Sequence, residues 1–433
     1  MKKILLCLLW LPSFVSSAQC DPALRPVIFV HGFLASGDTW SNAARYFREN
    51  GYCNDQLYAY DWNSVSGNGR SNEQALVQLI DRILTSTGAS QVDLVGHSAG
   101  GGLVRGLLKD STQAQKVGRY IHIGSRKWTS AYAWFPNEQC MNIYSSGDRV
   151  AGNGAGAVEG AVNVALTEED HYQVATSSSA LSAMHDFLIR DKKKTSENKS
   201  SKGLVSIDKI TKTSVSIGGK AVLLGDNAPI KEATITIHAI DKKTGLRKRN
   251  NSGVQIKTEV TGQWGPVKLT SGIPYEIELA PADPSKKKIS YFFHSFTYDD
   301  PLVYLRGIPE GSRMSALLGK IPQEKDQSAL VLYSAAGAMI GGRDSVTVNN
   351  VPICSSTLTP ASRTVITSFI FDDGDGVSTG QVLKQYASAP FIGGIDLLLP
   401  TAATKVIAVY FNGKTLNLPA LPSSERLLLA VLK

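Results

Sequence analysis

Short runs of consecutive apolar residues alternate, between about positions 25 and 190, with stretches whose apolar residues recur at helical spacing. The runs cover 26–30, 57–62, 92–95, 120–123, 141–144 and 162–166. Between the second and third, Ala75, Leu76, Leu79, Ile80 and Ile83 fall on one helical face, and 101–108 and 180–189 repeat that spacing. Strands apolar on both faces, separated by amphipathic helices, predict an α/β fold: a parallel sheet with helices on both faces.

The pattern changes after residue 190. Positions 191–203 hold almost nothing apolar and read as a linker. Beyond them come short β-type runs at 221–224, 234–238, 254–257, 275–279, 329–333, 365–371, 395–399 and 406–411, with turn residues between. Helical periodicity is scarce, so this C-terminal region is expected to be all-β. An Ig-like module over 204–283, with 262–266 as a turn, would precede a sandwich or barrel over 284–433. The expected break is the proline- and lysine-rich stretch 281–288.

The N-terminus fits neither pattern. Lys2 and Lys3 precede the apolar run 4–11, and Ser16-Ser17-Ala18 offers a small-residue cleavage site, so 1–18 is expected to be a signal peptide. A lipoprotein acylated at Cys20 is the weaker reading, because Gln19 stands where a small residue is wanted. The catalytic region is then 19–190, exported to the periplasm or the cell exterior. No later run is long and apolar enough for a membrane span. Cleavage leaves Cys20, Cys53, Cys140 and Cys354. Four cysteines allow three pairings; Cys20–Cys53 is preferred, because each precedes a strand start at one end of a parallel sheet.

With 433 residues, 42% apolar and 19% charged, the chain can bury more than one core. Its net charge of +8 concentrates at Lys192-Lys193-Lys194, near Lys199 and Lys202. No aromatic residue interleaves with these lysines, so a solvated linker is expected and nucleic-acid binding is not.

Gly96-His97-Ser98-Ala99-Gly100 has the form G-x-S-x-G, in which serine sits on a strained strand-to-helix turn with its hydroxyl exposed. An apolar strand before it and a helix after it make Ser98 the expected nucleophile. The backbone N–H groups of Ala99 and of Phe33, in His31-Gly32-Phe33 after the first strand, are the expected oxyanion donors. Asp148 and His171 follow the next suitable strand ends, in the order Ser, Asp, His. They are expected at the sheet's carboxyl edge as acid and base.

Rival residues have simpler roles. The loop Gly124-Ser125-Arg126 offers no carboxylate, Asp93 lies within a strand, and Asp170 adjoins His171 too closely to pair with it. His185 sits mid-helix, His122 lies in a strand, His97 points away from Ser98, and His31 is expected to hold its loop.

Through Val30-His31-Gly32-Phe33, the serine motif, Ser146-Gly147-Asp148 and Asp170-His171, the first region resembles bacterial and archaeal lipases of the α/β-hydrolase superfamily. The resemblance implies a minimal α/β-hydrolase sheet, an acyl-enzyme, and no cofactor or metal. The trailing β half is similar in architecture to that of two-domain lipases, in which a C-terminal β-barrel helps bind long acyl chains. A secreted lipase acting on acylglycerols, at a lipid–water interface, is the leading expectation. Short-chain esterase and polyhydroxyalkanoate depolymerase are alternatives. The non-enzymatic alternative, a surface-binding protein with a vestigial hydrolase domain, is disfavoured by the intact triad order.

Trp128, Tyr132, Trp134 and Phe135 crowd the short interval before Cys140. With Phe33 and Trp40 they are expected to line an acyl pocket; the alternative is packing against the β half. Asp372-Asp373-Gly374-Asp375-Gly376 is expected to be a solvated turn rather than a calcium site, since the EF-hand spacing is absent.

Overall fold

The computed structural model describes residues 20–66, 68–129, 132–191, 213–248, 253–311, 315, 321–402 and 405–432. The expected signal peptide, and the linker with its lysines beyond residue 191, lie outside them.

Six parallel strands form the first sheet: β1 (Val27–Val30), β2 (Leu57–Tyr60), β3 (Val92–His97), β4 (Val117–Ile123), β5 (Cys140–Ser145) and β6 (Val162–Leu166). Their spatial order is β2-β1-β3-β4-β5-β6. Alternation within β1 shows why the sheet is covered on both sides. Val27 and Phe29 join one core with α1 (Ser41–Glu49) and the C-terminal helix of this region, Ser178–Leu188. Ile28 and Val30 join the opposite core with α2 (Gly69–Thr87) and α3 (Ala99–Leu107). Two short helices, α4 (Ser111–Ala114) and α5 (Gln173–Thr176), precede that closing helix, α6. A disulfide joins Cys20 to Cys53, tying the segment before β1 to the one before its neighbour β2.

The β half begins with β7 (Ser214–Leu223), β8 (Thr234–Ala239), β9 (Val254–Lys257), β10 (Gln263–Thr270), β11 (Tyr275–Ala280), β12 (Lys288–Phe293) and β13 (Asp300–Gly307). It continues with β14 (Leu330–Tyr333), β15 (Val346–Val348), β16 (Val351–Pro352), β17 (Thr367–Phe371), β18 (Ile392–Asp396), β19 (Val406–Phe411), β20 (Lys414–Pro419) and β21 (Arg426–Val431). Three sheets stack as layers. An eight-stranded sheet, β18-β17-β14-β21-β12-β11-β8-β9, has one face on the three-stranded sheet β10-β7-β13 and the other on the four-stranded sheet β16-β15-β19-β20. Period-two alternation sorts the side chains: Ile289, Tyr291 and Phe293 enter the first core, Phe292 the second.

Two boundary expectations need correction. β11 pairs with β12 across the expected 283/284 break, and the eight-stranded sheet takes strands from both sides of it. The polar stretch 281–288 is a hairpin connection, not an inter-module linker. The expected turn at 262–266 lies largely inside β10, where the register shifts between Trp264 and Val267. That bulge interrupts the strand periodicity and made the segment look like a turn.

The β half packs against the carboxyl-end loops of the parallel sheet. Leu34, Ala35 and Tyr172 belong to the same buried cluster as β-half residues such as Tyr291, Tyr333 and Phe391. Arg306 of β13 forms a bidentate pair with Asp38, at 2.9 and 2.5 Å, and Tyr333 donates to the same carboxylate. Asp61 accepts from Lys220 and Tyr304, both at 2.7 Å.

Candidate active site

Ser98 connects β3 to α3 with φ 53° and ψ −123°, a backbone conformation that costs a non-glycine residue energy. Hydrogen bonds hold it there: its N–H donates to Ile123 O, and its carbonyl accepts from Gly101 N. A side chain at Gly100 would put a Cβ 2.4 Å from His31 O and 2.5 Å from Val30 O. The loop after β1 therefore lies directly against the start of α3.

The Ser98 hydroxyl lies 2.8 Å from His171 Nε2, and His171 Nδ1 lies 2.9 Å from Asp148 Oδ2. In this arrangement Nδ1–H donates to the carboxylate and Nε2 accepts from the serine hydroxyl. Asp148 Oδ1 takes the N–H groups of Val150 and Ala151. Burial disfavours the Asp148 charge, but the His171 contact and these two N–H donors outweigh it and hold the carboxyl below its ordinary range. The turn before Asp148 packs tightly on the loop leading to His171: a Cβ at Gly147 would sit 2.7 Å from the Glu168 carbonyl carbon. His171 and Asp148 are buried and Ser98 is half-buried, so access runs to the serine side.

The oxyanion candidates sit at two places, Phe33 in the loop after β1 and Ala99 at the first position of α3. Ala99 opens α3, where the first N–H groups have no partner within the helix. Phe33 follows Gly32, at which a Cβ would meet the Ser98 Cβ at 3.0 Å. The adjoining backbone is pinned by Leu34 N donating to Ser64 Oγ.

His31 and His97 support this arrangement. His31 Nδ1–H donates to Gly32 O, and its Nε2 accepts from Trp62 N. Its pKa is lowered by burial, consistent with a neutral ring. His97 turns away from Ser98, and its Nε2–H donates to the backbone oxygen of His171 at 2.6 Å. Burial, and then the neighbouring His171, lower its pKa to about 3. The other rivals lie elsewhere. His122 accepts from Tyr120 and donates to Arg126 O, His185 packs among Tyr46, Phe47 and Tyr52, and Asp93 pairs with Arg25.

The aromatic residues expected in an acyl pocket have other partners. Trp128 and Tyr132 sandwich Arg105 of α3, Tyr132 stacks on Trp134, and Trp134 donates to Leu108 O. Phe135 is buried in the core beneath α2 and α3. These four cover the far end of α3, a helix away from Ser98, and do not pack on the β half in any of these contacts. Trp40 is also core, stacked on Phe29. The aromatic run lacks a polarity pattern that would distinguish a helix cap from a pocket wall.

Residues from the β half approach the site instead. The ring of Phe391 stacks on His171 and meets Tyr172 edge-on, with Phe33 at 6.3 Å. Arg343 donates to Asp170 Oδ2 at 2.8 Å, while Asp170 Oδ1 accepts from Tyr172 N and Gln173 N. Asn227 donates to Ala35 O and Trp62 O, approaches His31 Nε2 at 3.2 Å, and accepts from Ser36 Oγ. No local sequence signal marks any of the three as part of a site.

A family model described as lipase (class 2) matches residues 24–123. A lipase C-terminal domain model matches 213–308, and a further C-terminal domain model matches 319–431. Among solved structures, this chain is similar to a Bacillus licheniformis lipase in its mature form, at 18% identity. The match covers 40% of this chain and 95% of the other, with a TM-score of 0.33. A predicted hydrolase from Thermoplasma acidophilum is similar at 18% identity, over 39% of this chain and 88% of its own, with a TM-score of 0.31. A carboxylesterase structure from the thaumarchaeon Nitrososphaera gargenis is similar at 12% identity, covering 41% and 94%, with a TM-score of 0.30.

Proposed function

We propose that this chain, a carboxylic-ester hydrolase of the α/β-hydrolase superfamily, is a secreted lipase that cleaves acylglycerols through Ser98, His171 and Asp148. The observation that carries the reading is the continuous hydrogen-bond chain from buried Asp148 through His171 to the Ser98 hydroxyl. Ser98 Oγ attacks the ester carbonyl as His171 Nε2 takes its proton, and Asp148 stabilises the imidazolium. The N–H groups of Phe33 and Ala99 receive the oxyanion. Collapse of the tetrahedral intermediate passes the proton from Nε2 to the departing alcohol and leaves an acyl-serine. Water, deprotonated by the same nitrogen, then releases the carboxylic acid.

Apolar Phe33 and Phe391 beside the reacting groups support a hydrophobic acyl chain over an acetyl group. Export is supported by the basic and apolar N-terminal residues and by the Cys20–Cys53 disulfide. Among the described residues no helix is long and apolar enough to cross a membrane.

The test is hydrolysis of p-nitrophenyl esters and triacylglycerols of graded chain length, with fluorophosphonate labelling mapped by mass spectrometry. The expected result is labelling on Ser98, and activity that rises with chain length and falls on the order of 10⁴-fold or more in Ser98→Ala. Activity retained by Ser98→Ala would reject the nucleophile. A preference for acetate would reject the lipase reading in favour of a short-chain esterase.

A further inference from the structure

The loop leaving β17 and the end of β18 bring three carboxylates together: one oxygen from each of Asp372, Asp373 and Asp396 lies within 4.8 Å of the others. Two of them are inside the protein, with Asp372 5% and Asp396 2% exposed. Asp396 accepts from Asp373 N at 3.2 Å, and its other oxygen from Thr379 N and the Thr379 hydroxyl. Asp372 Oδ2 accepts from Gly374 N and Gly376 N, at 3.0 and 3.1 Å. Asp372 Oδ1 is shielded from solvent and has no hydrogen-bond partner.

Backbone N–H groups ease these charges without neutralising them. Among the described residues, no lysine, arginine or histidine forms an ion pair with Asp372, Asp373 or Asp396. Two buried carboxylates held side by side with no cation repel each other in a medium that screens poorly. A cation held between them would relieve that repulsion and give the unpartnered Asp372 Oδ1 a ligand. The site is made of hard oxygen donors, which suit calcium or magnesium rather than zinc. Calcium takes six to eight oxygens in a flexible shell that water can complete, whereas magnesium demands near-ideal octahedral geometry. That favours calcium.

We propose that Asp372, Asp373 and Asp396 form a calcium site that fastens the β17–β18 strand pair. The pair links this site to the hydrolase. Thr367 pairs with Ile392 at one end of the ladder and Phe371 with Asp396 at the other, so the residue before Ile392, Phe391, lies one strand length away against His171. Calcium thus stiffens the strand pair that carries Phe391 and takes no part in the chemistry at Ser98.

The experiment uses the full mature chain, stripped with EGTA and then titrated calorimetrically with calcium chloride. One site per chain is expected, with an affinity in the roughly 10⁻⁴–10⁻³ M range of extracellular calcium modules. Thermal unfolding in 10 mM calcium should move up by at least about 2 °C over the EGTA-treated protein. Asp373 is exposed, so Asp373→Asn should fold normally; it should bind at least about ten-fold more weakly. Asp372→Asn should abolish binding. A wild-type protein with neither binding heat nor a thermal shift would overturn the site. An Asp373→Asn variant with unchanged affinity would overturn these ligands. An equal response to magnesium would overturn the choice of calcium.

Discussion

The ring of Phe391 lies nearly parallel to that of His171, with centroids 5.9 Å apart and 23° between the planes. The two residues come from opposite halves of the chain, yet Phe391 forms one wall against the base of the candidate triad. It holds this place with φ +65°, a conformation unfavourable for a bulky residue. Packing on His171 and Tyr172 compensates for that strain. Removing the ring frees the imidazole to leave the line between Ser98 and Asp148. Phe391→Ala should lower kcat by about ten- to a hundred-fold, the size of effect that small misplacements of reacting groups produce. The loss should be greater for long-chain than for acetyl esters. Phe391→Gly should be more stable than Phe391→Ala by about 1 kcal/mol, because only glycine tolerates this φ without cost. Urea unfolding of both variants and chain-length kinetics check the prediction; a uniform loss across chain lengths would mean that Phe391 does not touch the acyl chain.

Arg343 acts on the same histidine through its neighbour. Asp170 is 2% exposed and takes the Arg343 guanidinium on one oxygen while capping the start of α5 with the other. Arg343→Met leaves a buried carboxylate short of its cation, although the N–H of Ala338 still donates to it. Because Arg343 is itself a third exposed, the stability lost is about 1–3 kcal/mol rather than the larger cost of a fully buried pair. The expected kinetic signature is a fall in kcat with little change in KM, and slower fluorophosphonate labelling of Ser98. Arg343→Lys should recover part of it. A variant that unfolds earlier but labels Ser98 at the wild-type rate would show that the ion pair serves stability alone.

Where the sequence was legible, its signals were local. Continuous apolar runs marked β1, β3, β4 and β5 because both faces of those strands are buried, whereas the edge strands β2 and β6 are apolar in sequence yet partly exposed. The serine motif could be read from its strand–turn–helix setting. α1 escaped because its buried face is made of Ser41, Ala43, Ala44 and Phe47, too small and polar to stand out as a stripe. The same limit hid the role of the β half. Asn227, Arg343 and Phe391 reach the hydrolase only after two domains dock, and a residue's neighbours in sequence carry no record of such contacts. The aromatic cluster at 128–135 was the opposite case: a conspicuous local signal whose partners lie at the far end of α3.

Asn227 is a further test of that docking. Its side chain is 7% exposed and fills the space between the loop after β1 and the loop after β2. Asn227→Ala would leave Ser36 Oγ, Ala35 O and Trp62 O without this partner, at about 1–3 kcal/mol for each group that cannot find water. The backbone next to Phe33 would then be free to shift away from an oxyanion donor's position. Removing such a donor typically costs about 10²–10³ in kcat, so loosening it should cost roughly ten- to a hundred-fold, with KM nearly unchanged. Steady-state kinetics on one soluble ester decide the matter; a rise in KM at constant kcat would place Asn227 in substrate binding instead.

Acid should unfold the protein through its buried histidines before its carboxylates. Burial lowers the pKa of His31, takes that of His122 to about 4 and, with the help of neighbouring His171, takes that of His97 to about 3. An unfolded histidine titrates near 6.5, so below that pH the unfolded chain binds protons that the folded chain refuses. Stability is therefore full above pH 6.5 and declines as pH falls toward the folded values, by up to about 1.4 kcal/mol per pH unit for each histidine. Asp93 works in the other direction. Burial raises its pKa to about 6, so acidification through that value favours the folded state and offsets about one histidine. The lowered pKa of Asp148 contributes only below the unfolded carboxylate value, outside this window. Urea unfolding at pH 7, 6 and 5 should thus show a steady loss. His122→Gln, remote from the triad, should make the loss shallower, and Asp93→Asn should make it steeper. Equal slopes in all three proteins would show that these buried groups do not control acid stability.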